Sequence, residues 1–219
     1  MASYTITQIA ALLGARLTGG GNVHAPIDYL STDSRKIAFP ENTLFFALPG
    51  THRHGEQFLA DAYALGVRQF VVNQLPQASS LPLAMFLTVP NVLEALQQLA
   101  AAHRTQYKLP VIGITGSYGK TVVKEWLFQL LHTHYKLVRS PKSFNSQIGV
   151  PLSVWEIDAT HNLGIFEAGI SLPGEMAILE RIIQPTWGIL TNIGSPHAEG
   201  FASQQHKLEE KAKLFEHCL

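Results

Sequence analysis

Seven consecutive residues, Thr115, Gly116, Ser117, Tyr118, Gly119, Lys120 and Thr121, carry the most specific chemistry in the chain. A glycine-bearing turn lets backbone N–H groups approach an anion, the helix that follows adds the positive end of its dipole, and a lysine supplies a mobile point charge. The pattern is that of a loop for nucleotide phosphates. Lys120 would reach the β- and γ-phosphates and the Thr121 hydroxyl would ligate magnesium. The strict spacing G-x-x-x-x-G-K-[ST] asks for glycine at 114, where the chain has Ile114, so the match reduces to G-x-x-G-K-T. The bland alternative is a glycine-rich turn with a surface lysine.

Further polar groups fall where they could join this loop. Glu167 closes the apolar run 163–166, and a charge at a strand end must face a cleft or bear a large desolvation cost. It reads either as a magnesium ligand or as a carboxylate capping the helix that begins near Pro173. The run 187–191 leads through Asn192, Ile193, Gly194, Ser195 and Pro196 to His197, which puts an imidazole at the same sheet edge. A lone loop histidine is as readily a solvated surface group. From 203 to 219 the pattern is helical, with Leu208, Ala212 and Phe215 on one face and Lys207, Glu210, Lys211 and Lys213 around the others. By periodicity and charge Lys211 is an ordinary helix lysine.

The elements that must hold these groups follow from hydrophobic patterning. VIGIT, YKLVRS, LGIFEAG and WGILTNI contain four short apolar runs separated by segments of helical pattern or length. Such spacing predicts parallel strands buried on both faces, hence a doubly wound α/β sheet with ligands at the carboxyl ends of its strands. The helix after the loop is expected to turn Trp126, Leu127, Leu130 and Leu131 inward. Ahead of this lies another α/β alternation. A helix opens at Thr5, with Thr5 and Gln8 as a capping box, Ile6, Ile9, Leu12, Leu13 and Leu17 at helical spacing, and Gly19, Gly20 and Gly21 as its end. Apolar runs at 44–48, 69–72 and 85–89 alternate with helices at 57–65 and 92–103, and the first domain is expected to close near residue 105.

Composition narrows the classes. The 219 residues, 46% hydrophobic and 15% charged, suffice for one large or two ordinary domains and exclude a disordered chain. Lys plus Arg (16) balances Asp plus Glu (16), so nothing suggests a sequence-independent nucleic-acid binder or a lipid-surface protein. The single cysteine, Cys218, forms no intramolecular disulfide, and zinc-module Cys/His pairs, a signal peptide and a membrane-spanning run are all lacking. A cytoplasmic location fits best.

Together these residues resemble the Mur ligases of peptidoglycan synthesis, ATP-dependent amide-forming enzymes with the fingerprint T-G-x-x-G-K-[ST]. The stretches TGSYGKTVVKEW, FNSQIGVPLS, FEAGISLPGEM, IIQPTWGILTNIG and HAEGFASQQHKLEEKAKLF carry the likeness, which spans nearly the whole chain. It implies a small N-terminal α/β uridine-nucleotide-binding domain, 1–105, followed by an incomplete P-loop-type parallel-sheet ATPase domain, 106–219, using ATP and Mg2+. It places Lys120 at the γ-phosphate, Thr121 on a first magnesium, Asn145 beside the nucleotide and that metal, and Glu167 and His197 on a second magnesium. A carbamylated lysine falls on Lys211, with Lys207 and Lys213 competing if the register shifts. Carbamylation turns a cation into an anion suited to magnesium.

In the first domain the likeness puts Asp33, Ser34 and Arg35 in a D-[ST]-R motif at the UDP substrate; a structural loop tied by an Asp–Arg pair is the alternative. Tyr118, Ala168 and Ala198 depart from the usual residues without putting the chemistry in doubt. The implied reaction joins D-alanyl-D-alanine to UDP-N-acetylmuramoyl-tripeptide through an acyl phosphate. Rival readings are the family member that adds the third amino acid, and a non-catalytic nucleotide-binding module. With only four predicted strands in the second sheet, the chain reads as a fragment without the family's third domain, able to bind weakly but not to turn over. SPKSFNSQIGVPLSVW and EKAKLF look like the form fused to a C-terminal alanine racemase.

Overall fold

The computed structural model describes residues 4–49, 55–76, 81–194 and 200–218. The chain forms two compact units, Met1–Leu99 and Ala100–Leu219. The division falls inside a helix rather than after it.

In the first unit, strand β1 (Tyr4–Thr5) leads into α1 (Ile6–Leu13), and the Thr5–Gln8 capping box is present. The helix stops earlier than its spacing predicts. Gly14 takes a left-handed conformation at φ +58° and its N–H returns to Ala10 and Ala11, a C-cap that apolar periodicity cannot register. Leu17 therefore lies in β2 (Arg16–Gly19), not on the helix. Gly19 and Gly21 have a different task from the one expected. A Cβ on either would meet the Ala84 or Leu83 carbonyl oxygen at 2.1 or 2.3 Å, so both allow close backbone approach.

Then come β3 (Pro26–Ile27), β4 (Tyr29–Ser31), β5 (Thr43–Phe46), α2 (Leu59–Ala64), β6 (Gln69–Val72), β7 (Met85–Thr88) and α3 (Val92–Arg104). The sheet order is β2-β7-β6-β5-β4, parallel except for the antiparallel β2. The expected runs became β5, β6 and β7. The short, half-exposed β2 and β4 escaped because neither forms an apolar run.

The second unit runs β8 (Val111–Thr115), α4 (Lys120–Leu131), β9 (Leu137–Arg139), α5 (Gly149–Trp155), β10 (Leu163–Glu167), α6 (Glu175–Ile183), β11 (Trp187–Leu190) and α7 (Gln204–Ala212). The four strands among its described residues are all parallel in the order β11-β8-β10-β9. In this register Glu167 pairs with Ile114 and Leu190 with Thr115, so the strands end along one edge. Both faces are covered over β8 and β10, whereas β11 at the edge is largely exposed, unlike the strand buried on both faces that its apolar run predicts. Ile112, Ile114, Leu163 and Ile165 pack against Val123, Leu127 and Leu131 of α4, while Val111 and Phe166 join Met176, Leu179 and Ile183 of α6 on the other side.

Two helix faces differ from expectation. On α4, Leu127 and Leu131 pack on the sheet, but Trp126 is 63% and Leu130 71% exposed, and the residue wholly buried on that helix is Lys124. On α7 the buried residues are Lys207, Glu210 and Lys211, while Ala212 is exposed. A hydropathy pattern assigns lysines to solvent; here their stems are buried, with Lys124 on carboxylate and carbonyl oxygens and Lys211 on a carbonyl.

Candidate functional site

The phosphate-loop residues leave the end of β8 with Gly116 at φ +143° and enter α4 through Gly119 at φ +79°. Glycine is required at 116, where a Cβ would sit 2.0 Å from Thr191 Oγ1. The chain beyond β11 holds the loop from behind. Thr191 Oγ1 donates to the Tyr118 carbonyl at 2.6 Å, and the Asn192 side chain accepts from the Tyr118 N–H at 3.1 Å. The Ser117 N–H donates to the Asn192 carbonyl at 2.9 Å, and Gly194 N–H to Ser117 Oγ at 2.8 Å. Two loop N–H groups are thus engaged within the protein. The first turn of α4, with its dipole, is left as the main anion-facing feature.

Two lysines meet on the loop. Lys120 Nζ donates to the Gly116 carbonyl at 2.8 Å, and Lys211 Nζ, from a residue only 2% exposed, reaches the same oxygen at 3.3 Å. Periodicity and charge do not separate Lys211 from its neighbours; burial against the loop does.

On the other side of Thr121 lies an oxygen-rich group. Glu167 is 0% exposed, and its Oε2 accepts from Thr121 Oγ1 at 3.1 Å and from Asn145 Nδ2 at 3.4 Å. Ser143 Oγ is 3.1 Å from Thr121 Oγ1. Gly169 leaves room for Asn145, since a Cβ there would lie 2.8 Å from its Oδ1. Oε1 of Glu167 lies 3.0 Å from Lys124 Nζ, yet no hydrogen-bond donor among the described residues is aligned on it. The capping alternative for Glu167 is not realised. Glu175 takes the Ser171 and Leu172 N–H groups at 2.6 and 3.0 Å ahead of α6.

Hydroxyl, amide and carboxylate oxygens are the donors magnesium prefers, and magnesium binds through few protein ligands, completing its shell with water and phosphate. The set Thr121, Ser143, Asn145 and Glu167 fits that chemistry. Among the described residues no group of three or more His, Cys, Asp or Glu could hold a metal alone. His197 lies outside the described residues. Reasoning on the sequence missed Lys124, Ser140, Ser143, Thr191 and Asn192 as parts of the site. Lys124 left one trace, a charge one turn beyond Lys120 on the sheet-facing side of an otherwise amphipathic helix.

In the first unit, Asp33 caps the short 3-10 turn Ser34–Lys36, and Arg35 grips its carboxylate through Nε and Nη2, both at 2.9 Å. The Arg35 bond holds the Asp33 carboxyl well below the usual carboxylate range. The Asp–Arg tie expected of a purely structural loop therefore exists. The loop also lines a cleft of about 410 Å³ with Thr32, Ser34, Lys36 and Phe58.

A glycine loop between strand and helix at the carboxyl edge of a parallel sheet, flanked by lysines and a buried carboxylate, defines a phosphate-binding α/β domain. Residues 114–219 match the Mur ligase middle domain, and the chain belongs to the Mur ligase family. The UDP-N-acetylmuramoyl-tripeptide–D-alanyl-D-alanine ligase of Treponema pallidum is 35% identical over 214 residues, 94% of this chain and 46% of that protein. A crystal structure of MurF from Acinetobacter baumannii superposes with a TM-score of 0.89 at 27% identity, covering 100% of this chain and 47% of that one. MurF from Thermotoga maritima in complex with ADP gives 0.74 at 26% identity, over 87% of this chain and 43% of that one. The chain spans about half the length of the curated relatives it matches. No helix among the described residues is long and apolar enough to cross a membrane.

Proposed function

We propose that the protein serves the cytoplasmic, ATP-dependent joining of D-alanyl-D-alanine to UDP-N-acetylmuramoyl-tripeptide, with the Ala100–Leu219 unit supplying the ATP site. One observation carries the reading. Lys120 and Lys211 on the Gly116 carbonyl, and Thr121, Asn145 and Glu167 on the other side, flank a single helix N-terminus. That is what a phosphate chain and its divalent counter-ion need in order to be held together. The relatives that match over nearly the whole chain are ligases by name, and one neighbour holds ADP.

In this reaction a carboxylate oxygen of the tripeptide attacks the γ-phosphorus, the bond to the bridging oxygen breaks, and ADP leaves. The dipeptide amine then attacks the acyl carbon, inorganic phosphate departs and the amine loses a proton. Two anions meet in the first step, so catalysis is mainly charge neutralisation and positioning. Lys120 exchanges its Gly116 contact for phosphate oxygen. Thr121 and Asn145 would hold a first magnesium and Glu167 and His197 a second, and these ions would supply further positive charge to the phosphate oxygens. Lys211 is the carbamylation site: two ammonium groups drawn to one carbonyl repel, and a carbamate on Lys211 replaces repulsion with attraction. Asp33, Ser34 and Arg35 bind the uridine diphosphate part.

Calorimetric titration with ATP tests the reading. Binding is expected to require Mg2+ and to weaken at least about tenfold in both Lys120→Ala and Glu167→Gln, the loss of one charge-assisted contact. Binding that ignores the metal and both substitutions overturns it.

A further inference from the structure

The proposed ATP site has a cation built into the back of its carboxylate. Lys124 follows Lys120 by one turn of α4, and both it and Glu167 are 0% exposed. Its Nζ lies 3.0 Å from Glu167 Oε1 and donates to the carbonyls of Ser140, at 2.7 Å, and of Lys142. Lys142 is held in the left-handed region at φ +50°, which turns its carbonyl onto the ammonium. Ser140 Oγ completes the arrangement by accepting the Glu167 N–H at 3.1 Å. A second carboxylate, Glu125, lies 3.2 Å from Nζ but is matched by Arg139 at 3.1 Å.

The two oxygens of Glu167 therefore have different neighbours. Oε1 faces an ammonium, and among the described residues Oε2 accepts from the neutral groups of Thr121 and Asn145. We infer that Lys124 is a positioning residue, an internal counter-cation that neutralises Glu167 through Oε1 and presents Oε2 alone to a divalent ion. The ion then enters only with nucleotide phosphate, which supplies the missing negative charge. A buried carboxylate with no ammonium behind it has both oxygens free to bind a hard cation. With Lys124 in place its charge is already met, and a second cation is repelled where screening is weak. The inference rests on the nucleotide-site reading and deepens it.

The probe is Mn2+, followed by electron paramagnetic resonance on the 219-residue protein without nucleotide. Lys124→Met should raise nucleotide-free Mn2+ affinity by at least about tenfold, given the charge removed. Lys124→Arg, which keeps the charge, should behave as wild type. Lys124→Gln keeps a donor for the two carbonyls and should show the same gain should the methionine variant fail to fold. A merely structural lysine would lower the melting temperature in the neutral variants without raising metal affinity, and that result overturns the inference. So does tight nucleotide-free Mn2+ binding by wild type, whatever the variants do. No ADP binding by wild type, with or without Mn2+, refutes the nucleotide site itself and the inference with it.

Discussion

Replacing Gly116 by alanine tests the construction of the loop at its tightest point. Two costs arise. At φ +143° a side chain adopts a backbone conformation that only glycine visits readily, worth about 1–3 kcal/mol. The added methyl also lies 2.0 Å from Thr191 Oγ1 and 3.1 Å from the Asn192 backbone, an overpacking of about 1–3 kcal/mol. Gly116→Ala should therefore destabilise the second unit by about 4 kcal/mol, adding the middle of each range. Thr191→Ala removes the 2.6 Å bond to the Tyr118 carbonyl and should cost about 1 kcal/mol. The double variant loses the Oγ1 clash as well, so its cost should fall short of the sum by about 1–2 kcal/mol. Urea titration followed by tryptophan fluorescence is the assay, because Trp126, Trp155 and Trp187 all lie in the Ala100–Leu219 unit. Gly116→Ala within about 0.5 kcal/mol of wild type, or strict additivity of the pair, would refute the reasoning.

Other outcomes follow from the same geometry. His103 is 1% exposed, its ring centroid lies 4.6 Å from that of Trp155, and its Nε2–H donates to the Ile157 carbonyl at 2.9 Å. Burial pushes its pKa down, so below about pH 6.5 the unfolded chain takes up a proton that the folded one refuses. Stability of the second unit should fall with pH there, by at most about 1.4 kcal/mol per pH unit, and His103→Phe should flatten the slope in melts between pH 7 and 5. Lys211→Ala should abolish a 13C carbamate signal seen with labelled bicarbonate, whereas Lys207→Ala and Lys213→Ala should leave it. Asp33→Ala should weaken UDP-N-acetylmuramoyl-tripeptide binding in calorimetry and leave ATP binding within twofold, or about 0.4 kcal/mol. With all substrates supplied, the 219 residues alone should bind nucleotide without releasing phosphate; sustained phosphate release contradicts the expectation that more of the family's length is needed.

What was legible divides along physical lines. The parallel strands of the second sheet were readable because each is a short apolar run, although only β8 and β10 are buried throughout. Strand β11 is largely exposed, against the expected burial on both faces. The glycine turn between β8 and α4 was readable because its residues are adjacent in sequence. The capping box at Thr5 was readable for the same local reason. The end of α1 was not, since Gly14 acts through a left-handed dihedral and not through hydropathy. Nor was the partner of Glu167. Lys124, Ser140 and Asn145 are distant in sequence from it, and only the parallel register brings them together. The inward lysines of α4 and α7 mark where hydrophobic patterning fails; Lys124 and Lys211 are each buried with an oxygen facing the ammonium.

The Lys211 bond to Gly116 has a consequence for how the protein comes to be. It links residues 95 apart, across most of the second unit. Closing so long a loop is slow compared with forming a local turn and helix. During synthesis the glycine turn and α4 emerge well before the helix that must lie beneath them, and domains fold as units once their chain is out. The proposed phosphate site is thus among the last features to mature, and a polypeptide released before α7 would carry the signature heptad without the helix that packs Lys211 against it.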